Sequence, residues 1–96
     1  MYARLVLITI GPGKRETADQ LIAGQHAALS AEKGFVRGIY LADDEKGQYG
    51  GLILWETKEG AEAAFAKLYP PMQEAIKDIV TGPPMTTLFE VVEPSA

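Results

Sequence analysis

The chain predicts an α+β fold of the split βαβ, or ferredoxin-like, class, with a four-stranded antiparallel sheet and both helical segments on one face. Three observations carry this. The apolar period switches between strand and helix in the order strand, helix, strand, strand, broken helix, strand. Gly and Pro punctuate the joints. Three strand segments are apolar on both faces: Leu5-Val6-Leu7-Ile8-Thr9-Ile10, Leu52-Ile53-Leu54-Trp55, and Leu88-Phe89 with Val91-Val92. A strand with one wet face alternates apolar and polar residues, whereas a strand covered on both sides does not.

Residues 2–10 read as the first strand, ended by Gly11-Pro12-Gly13. From about Lys14 to Ser30 the period becomes helical, with Ala18, Leu21, Ile22 and Leu29 on one face. Lys33-Gly34 closes the helix, with Gly34 as a left-handed cap. Phe35 to Leu41 forms the second strand. Asp43-Asp44-Glu45-Lys46-Gly47 is a charged hairpin turn ending in Gly. Gln48 to Glu56 is the third strand. Thr57 caps a helix whose stripe is Ala61, Ala64, Phe65 and Leu68. Pro70-Pro71 is expected to break that helix. A second helical piece, with Pro tolerated in its first turn, then buries Met72, Ala75, Ile76, Ile79 and Val80. Thr81-Gly82-Pro83-Pro84 is a loop, Met85 to Glu93 the last strand, and Pro94-Ser95-Ala96 a tail expected to fray.

Right-handed crossovers place strands one and three in the centre of this sheet and strands two and four at its edges. The central pair is the most apolar, and the edge candidates carry Arg37 and Glu90, charges that guard against mispairing. Both helical segments fall on one face, yet the other face is still apolar. Four strands of about six residues cover roughly 400 Å². Leaving that area wet forgoes on the order of 10 kcal/mol at about 25 cal/mol per Å². This rivals the whole stability of a small domain. A second copy of the same sheet is the simplest cover, so a homodimer joined through sheet faces is expected.

The 96 residues form one domain, 1–96. Hydrophobic residues make up 47% and charged residues 23%, as in soluble globular proteins. The net charge is −4 and the nine Lys and Arg are scattered, which argues against a nucleic-acid partner. The absence of Cys excludes a disulfide framework, a thiolate metal site and a Cys nucleophile. With a single His, no metal-ligand spacing exists either. No apolar run approaches the roughly 20 residues that span a bilayer. Gly-Pro-Gly-Lys-Arg-Glu follows the first apolar run where a secretory signal would carry small residues, so a cytoplasmic location is expected.

Glu32-Lys33-Gly34-Phe35, the segment Gly50-Gly51-Leu52-Ile53-Leu54-Trp55-Glu56-Thr57-Lys58-Glu59, and Phe89-Glu90-Val91-Val92-Glu93-Pro94 resemble the dimeric α+β barrel superfamily. Among its members the chain is most similar to small monooxygenases of the antibiotic-biosynthesis type. The resemblance implies a homodimer of packed sheets and, in each subunit, a pocket between helices and sheet. It also implies oxidation of a phenol, quinol or polyketide-like aromatic by dioxygen, with no metal or flavin cofactor. The protein then supplies a dry apolar cavity, a base or hydrogen bond for the substrate anion, and orientation. Haem-degrading members use an Asn on the first strand, with a Trp and a His in the second helical region. This chain has no Asn, and its one His lies in the first helix.

His26 is the only side chain with an ordinary pKa near neutrality and is the natural general base. It sits at the edge of the helical stripe, where it either looks into a pocket or faces water. Gln25 falls inside the stripe, where a buried amide needs partners. It bonds neighbouring backbone or holds a polar ligand. Trp55 shares a face with Tyr49, Gly51 and Ile53, as core or as pocket wall. Tyr40 and Tyr69 are candidates to hydrogen-bond a phenolate or quinone oxygen, with Tyr69 the catalytic partner of His26. Met72 joins Trp55, Gln25 and Tyr40 as a substrate-binding candidate. Arg37 offers a charge to an anionic substrate or a bridge across the dimer. Gly50-Gly51 signals a bulge or a close backbone approach. The rival function is a non-catalytic small-molecule-binding or stress-related homodimer with the same cavity, and it gains ground if no base reaches the pocket.

Overall fold

The structure, a computed structural model, describes residues 1–94; the expected frayed tail therefore lies outside the described residues beyond Pro94. Six elements follow in the expected order: β1 (Tyr2–Thr9), α1 (Arg15–Ser30), β2 (Phe35–Asp43), β3 (Gln48–Trp55), α2 (Lys58–Ile76) and β4 (Met85–Glu90). They form one antiparallel sheet in the order β2-β3-β1-β4, with β1 and β3 central.

Local chemistry sets most boundaries. Gly34 has φ +88°, a left-handed turn that costs glycine little, and it redirects the chain from α1 into β2. Thr57 caps α2, its hydroxyl accepting from the Gly60 N–H at 3.0 Å. β4 stops at Glu90, three residues before the expected end, because its partner runs out. Glu90 pairs with Tyr2, the first residue of β1, and beyond it one bond remains, from the Val91 N–H to the Met1 carbonyl at 2.9 Å.

The expected break at Pro70-Pro71 is absent, and α2 runs unbroken through both prolines. Each proline removes a helical N–H and crowds the carbonyl four residues back. Here both prolines are exposed, as are Ala66 and Lys67, whose carbonyls lose their donors, so water can satisfy them. The opposite side of the helix is anchored by Ala61, Ala64 and Ile76, all buried.

The register assigns every strand residue to a face. Arg4, Val6 and Ile8 of β1 lie beside Tyr49, Gly51, Ile53 and Trp55 of β3, under the helices. Two core clusters form there. One joins Ile8, Ile10, Ala18, Tyr49 and Ile76. The other joins Ile53, Trp55, Ala61 and Ala64. The opposite face has no helix. Leu5 and Leu7 of β1, Leu52 and Leu54 of β3, Ile39 and Leu41 of β2, and Met85 and Phe89 of β4 share it. Met85 is 47% exposed and Phe89 48% exposed, although both belong to an apolar surface. No helix among the described residues is long and apolar enough to cross a membrane.

The irregularity in the sheet falls in β2, between Phe35 and Arg37, and not at Gly50-Gly51. Gly50 instead marks the close approach: a Cβ there would collide with the carbonyl oxygen of Val6. Gly24, within α1, is exposed with open space around it. Gly50→Ala will therefore destabilise the fold by about 2 kcal/mol or more. Gly24→Ala will stabilise it by about 0.5–1 kcal/mol, because alanine restricts the unfolded chain and favours helix. Urea denaturation of the two variants checks both signs.

Candidate functional site

Between the helices and the sheet is a cavity of about 100 Å³ that opens to solvent. One water needs about 10–15 Å³ by the same measure, so the space suits a small ring. Its floor is sheet and its roof is helix. Tyr49 and Ile53 flank Gly51 on the floor, where the space a side chain would take is filled by the Tyr40 ring. The cavity also lies between the two core clusters, since Ile8, Ala18 and Ile76 of one line it together with Trp55, Ala61 and Ala64 of the other.

Tyr40 is placed by two glycines. It pairs with Gly51, and its ring lies so close that a Cβ at Gly51 would stand 3.0 Å from the ring carbon Cδ1. A Cβ at Gly38 would stand 2.5 Å from its hydroxyl oxygen. Larger residues at either position would push the ring off the sheet. So laid down, the Tyr40 hydroxyl meets Nδ1 of His26 on α1 at 2.8 Å, and the two rings sit edge-on with centroids 5.4 Å apart. The phenol donates to Nδ1 when the imidazole is neutral and carries its proton on Nε2. Burial raises the Tyr40 pKa above its ordinary value, so the group is a neutral phenol at neutral pH.

Of the residues expected to serve the site, Trp55, Gln25, Tyr40, Tyr69 and Met72 all line the cavity. His26 does not. It is exposed on α1 and touches the cavity only through Tyr40. Trp55 is buried and meets Phe35 edge-on, with centroids 5.9 Å apart. Tyr69 stacks on Phe65 with centroids 4.4 Å apart. Arg37 is exposed on β2, in register with Leu54 on the uncovered face, away from the cavity.

Sequence reasoning missed Arg4. It lines the cavity from the middle of β1, its guanidinium 4.0 Å over the Phe65 ring. Its Nε is buried and has no hydrogen-bond partner. Burial lowers its pKa, and the through-space attraction of Glu62 works the other way. The available signal was positional, because Arg4 shares the period-two face of Val6 and Ile8.

The acidic turn is occupied structurally. Arg15 reaches Asp44 and Asp19, each at 2.9 Å, the Tyr49 hydroxyl donates to Asp44 at 2.8 Å, and the Lys46 N–H donates to Asp43 at 3.1 Å. No cluster of His, Cys, Asp or Glu among the described residues could hold a metal ion.

Tyr49 is also raised above its ordinary value, first by burial and then by the bond to Asp44. For Tyr40 and Tyr49 alike the folded state favours the protonated phenol. The stability they contribute is complete below the unfolded value, about pH 10, and is lost as pH climbs through the raised folded values. Urea midpoints followed upward from about pH 9 will fall, and Tyr40→Phe together with Tyr49→Phe will flatten the fall.

No protein-family profile matches the chain, and no curated protein matches it in sequence. Solved structures do. SnoaB, a cofactor-independent oxygenase from Streptomyces nogalater, aligns with a TM-score of 0.78 at 20% identity, over 97% of this chain and 94% of that one. A monooxygenase from the ActVA-Orf6 gene of Streptomyces coelicolor, solved with nanaomycin D, aligns at 0.74 and 18% identity, over 98% and 92%. Rv0793 of Mycobacterium tuberculosis aligns at 0.79 and 12% identity, over 99% and 98%. At these identities the likeness speaks to architecture. The chain shares the ferredoxin-like fold of these monooxygenase structures.

Proposed function

We propose that the protein is a cofactor-independent monooxygenase of a small aromatic substrate, a phenol, quinol or polyketide-like ring, acting in the cytoplasm as a homodimer joined through its open sheet faces. The observation that carries this reading is the contact between Tyr40 and His26, which connects an apolar cavity to the one imidazole of the chain. The fold supports it, since SnoaB is named a cofactor-independent oxygenase.

The substrate ring lies between Trp55 and the aliphatic roof. A proton leaves its acidic O–H or C–H for the Tyr40 oxygen while Tyr40 passes its own proton to Nδ1 of His26. His26 thus serves as base through a relay and not by contact. Proton transfer along positioned groups of this kind is worth about 10²–10⁴ in rate. The resulting electron-rich anion gives an electron to dioxygen, and the two radicals join as a hydroperoxide on the substrate carbon. Loss of water, with breakage of the O–O and remaining C–H bonds, leaves a carbonyl, so that the substrate supplies every electron. Tyr69, held against Phe65 on the cavity wall, hydrogen-bonds the substrate oxygen, while Gln25 and Met72 shape the pocket around the ring.

The binding-protein alternative draws on the exposure of His26, which leaves no imidazole inside the cavity. Oxygen uptake with a panel of quinols separates the two. The enzyme reading predicts uptake by the wild type, a fall of about a hundredfold for Tyr40→Phe and for His26→Ala, and a loss of substrate affinity for Trp55→Ala. Equal rates for all four proteins would remove these roles, and binding without uptake would favour the alternative.

A further inference from the structure

A cation in the middle of a central strand, facing the helices, is the most unusual feature of the core. Arg4 pairs with Ile53 on one side and Leu88 on the other, both apolar. Strand register forces it inward, and α2 receives it on the Phe65 ring, which is backed by Tyr69. The ring face attracts the guanidinium but cannot accept from its Nε–H in the ring plane. That donor is buried without a partner. None of the ion pairs among the described residues includes Arg4.

Every element around it can be searched for a partner. α2 offers Glu62, which is exposed and acts only through space, and Tyr69. α1 offers the neutral Gln25, and β2 offers Tyr40, already engaged with His26. On β4, Glu90 shares Arg4's face two residues beyond its partner Leu88, but it is exposed and makes no ion pair with Arg4. Arg4 is thus a part-buried guanidinium at the cavity wall whose Nε–H has no acceptor, and a guanidinium presents the planar set of donors that recognises a planar oxyanion. A buried charged donor that lacks its acceptor in the free protein gains most when a ligand brings one.

We propose that Arg4 is the anion-binding group of the cavity, and that the cavity selects single-ring aromatic molecules bearing an anionic oxygen, as phenolate or carboxylate. This rests on the reading of the cavity as the substrate site and adds the charge of the ligand. Tyr40 and Arg4 then divide the work. The proton departs toward Tyr40 and His26, while the negative charge left on the conjugated oxygen meets Arg4. The guanidinium remains charged throughout, because arginine does not deprotonate in proteins.

Binding of 4-nitrophenol, benzoate and benzamide to the full chain tests this without turnover. Bound nitrophenol, read by the colour of its anion, will ionise at a pH at least about one unit below that of the free phenol, a tenfold change in proton affinity. Benzoate will bind about tenfold or more tightly than benzamide. A shift with nitrophenol alone assigns Arg4 to the reacting oxygen, and a preference for benzoate alone assigns it to a carboxylate elsewhere on the ring. Arg4→Met will abolish the charge preference while keeping benzamide binding, and Arg4→Lys will retain part of it. If neither anion is favoured by the wild type, or if no probe binds, the proposal is wrong; this measurement needs no variant to fold. Charge-selective binding without oxygen uptake would remove the oxygenase reading and keep Arg4. Uptake in which Arg4→Met matches the wild type, with no charge preference, would do the reverse.

Discussion

The structure depends on a sheet with two apolar faces and one cover. α1 and α2 shield the face of Ile8, Tyr49, Ile53 and Trp55, which are buried to within a few percent. On the other face Leu5, Leu7, Leu52 and Leu54 form the middle of a surface bordered by Ile39, Leu41, Met85 and Phe89. A domain of this size is stable by about 5–15 kcal/mol. Apolar area on the scale of a whole sheet face, left in water, is therefore a large fraction of what folding gains. A second copy of the sheet is the cover proposed for this face, and the aligned packing of two sheets is a common arrangement.

If the open face carries assembly, the helical face is free to carry chemistry. On its floor, β2 and β3 place glycine where the Tyr40 ring needs the room. Gly38 and Gly51 let Tyr40 lie flat, and the ring in turn reaches His26. Two of the cavity's polar features thus arise from the sheet. One is a phenol connected to an imidazole at the surface. The other is a guanidinium held by register on β1. Around them the wall is aromatic and aliphatic, and electrostatic interactions in such surroundings are stronger than in water.

Much of this was legible in the chain itself. Period-two and period-3.6 patterns carry the element order, and the lack of alternation in Leu5–Ile10 and Leu52–Trp55 marks a second apolar face. The helix stripe identified Gln25 as inward, and the β3 alternation put Trp55 beside Tyr49 and Ile53. What escaped was whatever depends on packing between elements. Pro70 and Pro71 read as a break because local propensity says so, yet α2 continues through them, with its opposite side buried and with Ala66 and Lys67, four residues back, exposed to water. Arg4 falls inside the first strand by pattern, but only register against β3 and β4 and the position of the helices show that it faces inward. The Tyr40–His26 contact joins residues on different elements, and no spacing rule links them.

Sedimentation equilibrium across micromolar concentrations tests the central constraint most directly. A two-chain mass for the wild type, reduced to one chain with loss of folding stability by Leu52→Asp, is the expected result. A lone, fully folded chain at those concentrations would contradict it, because the uncovered sheet face would then be stable in water without a partner.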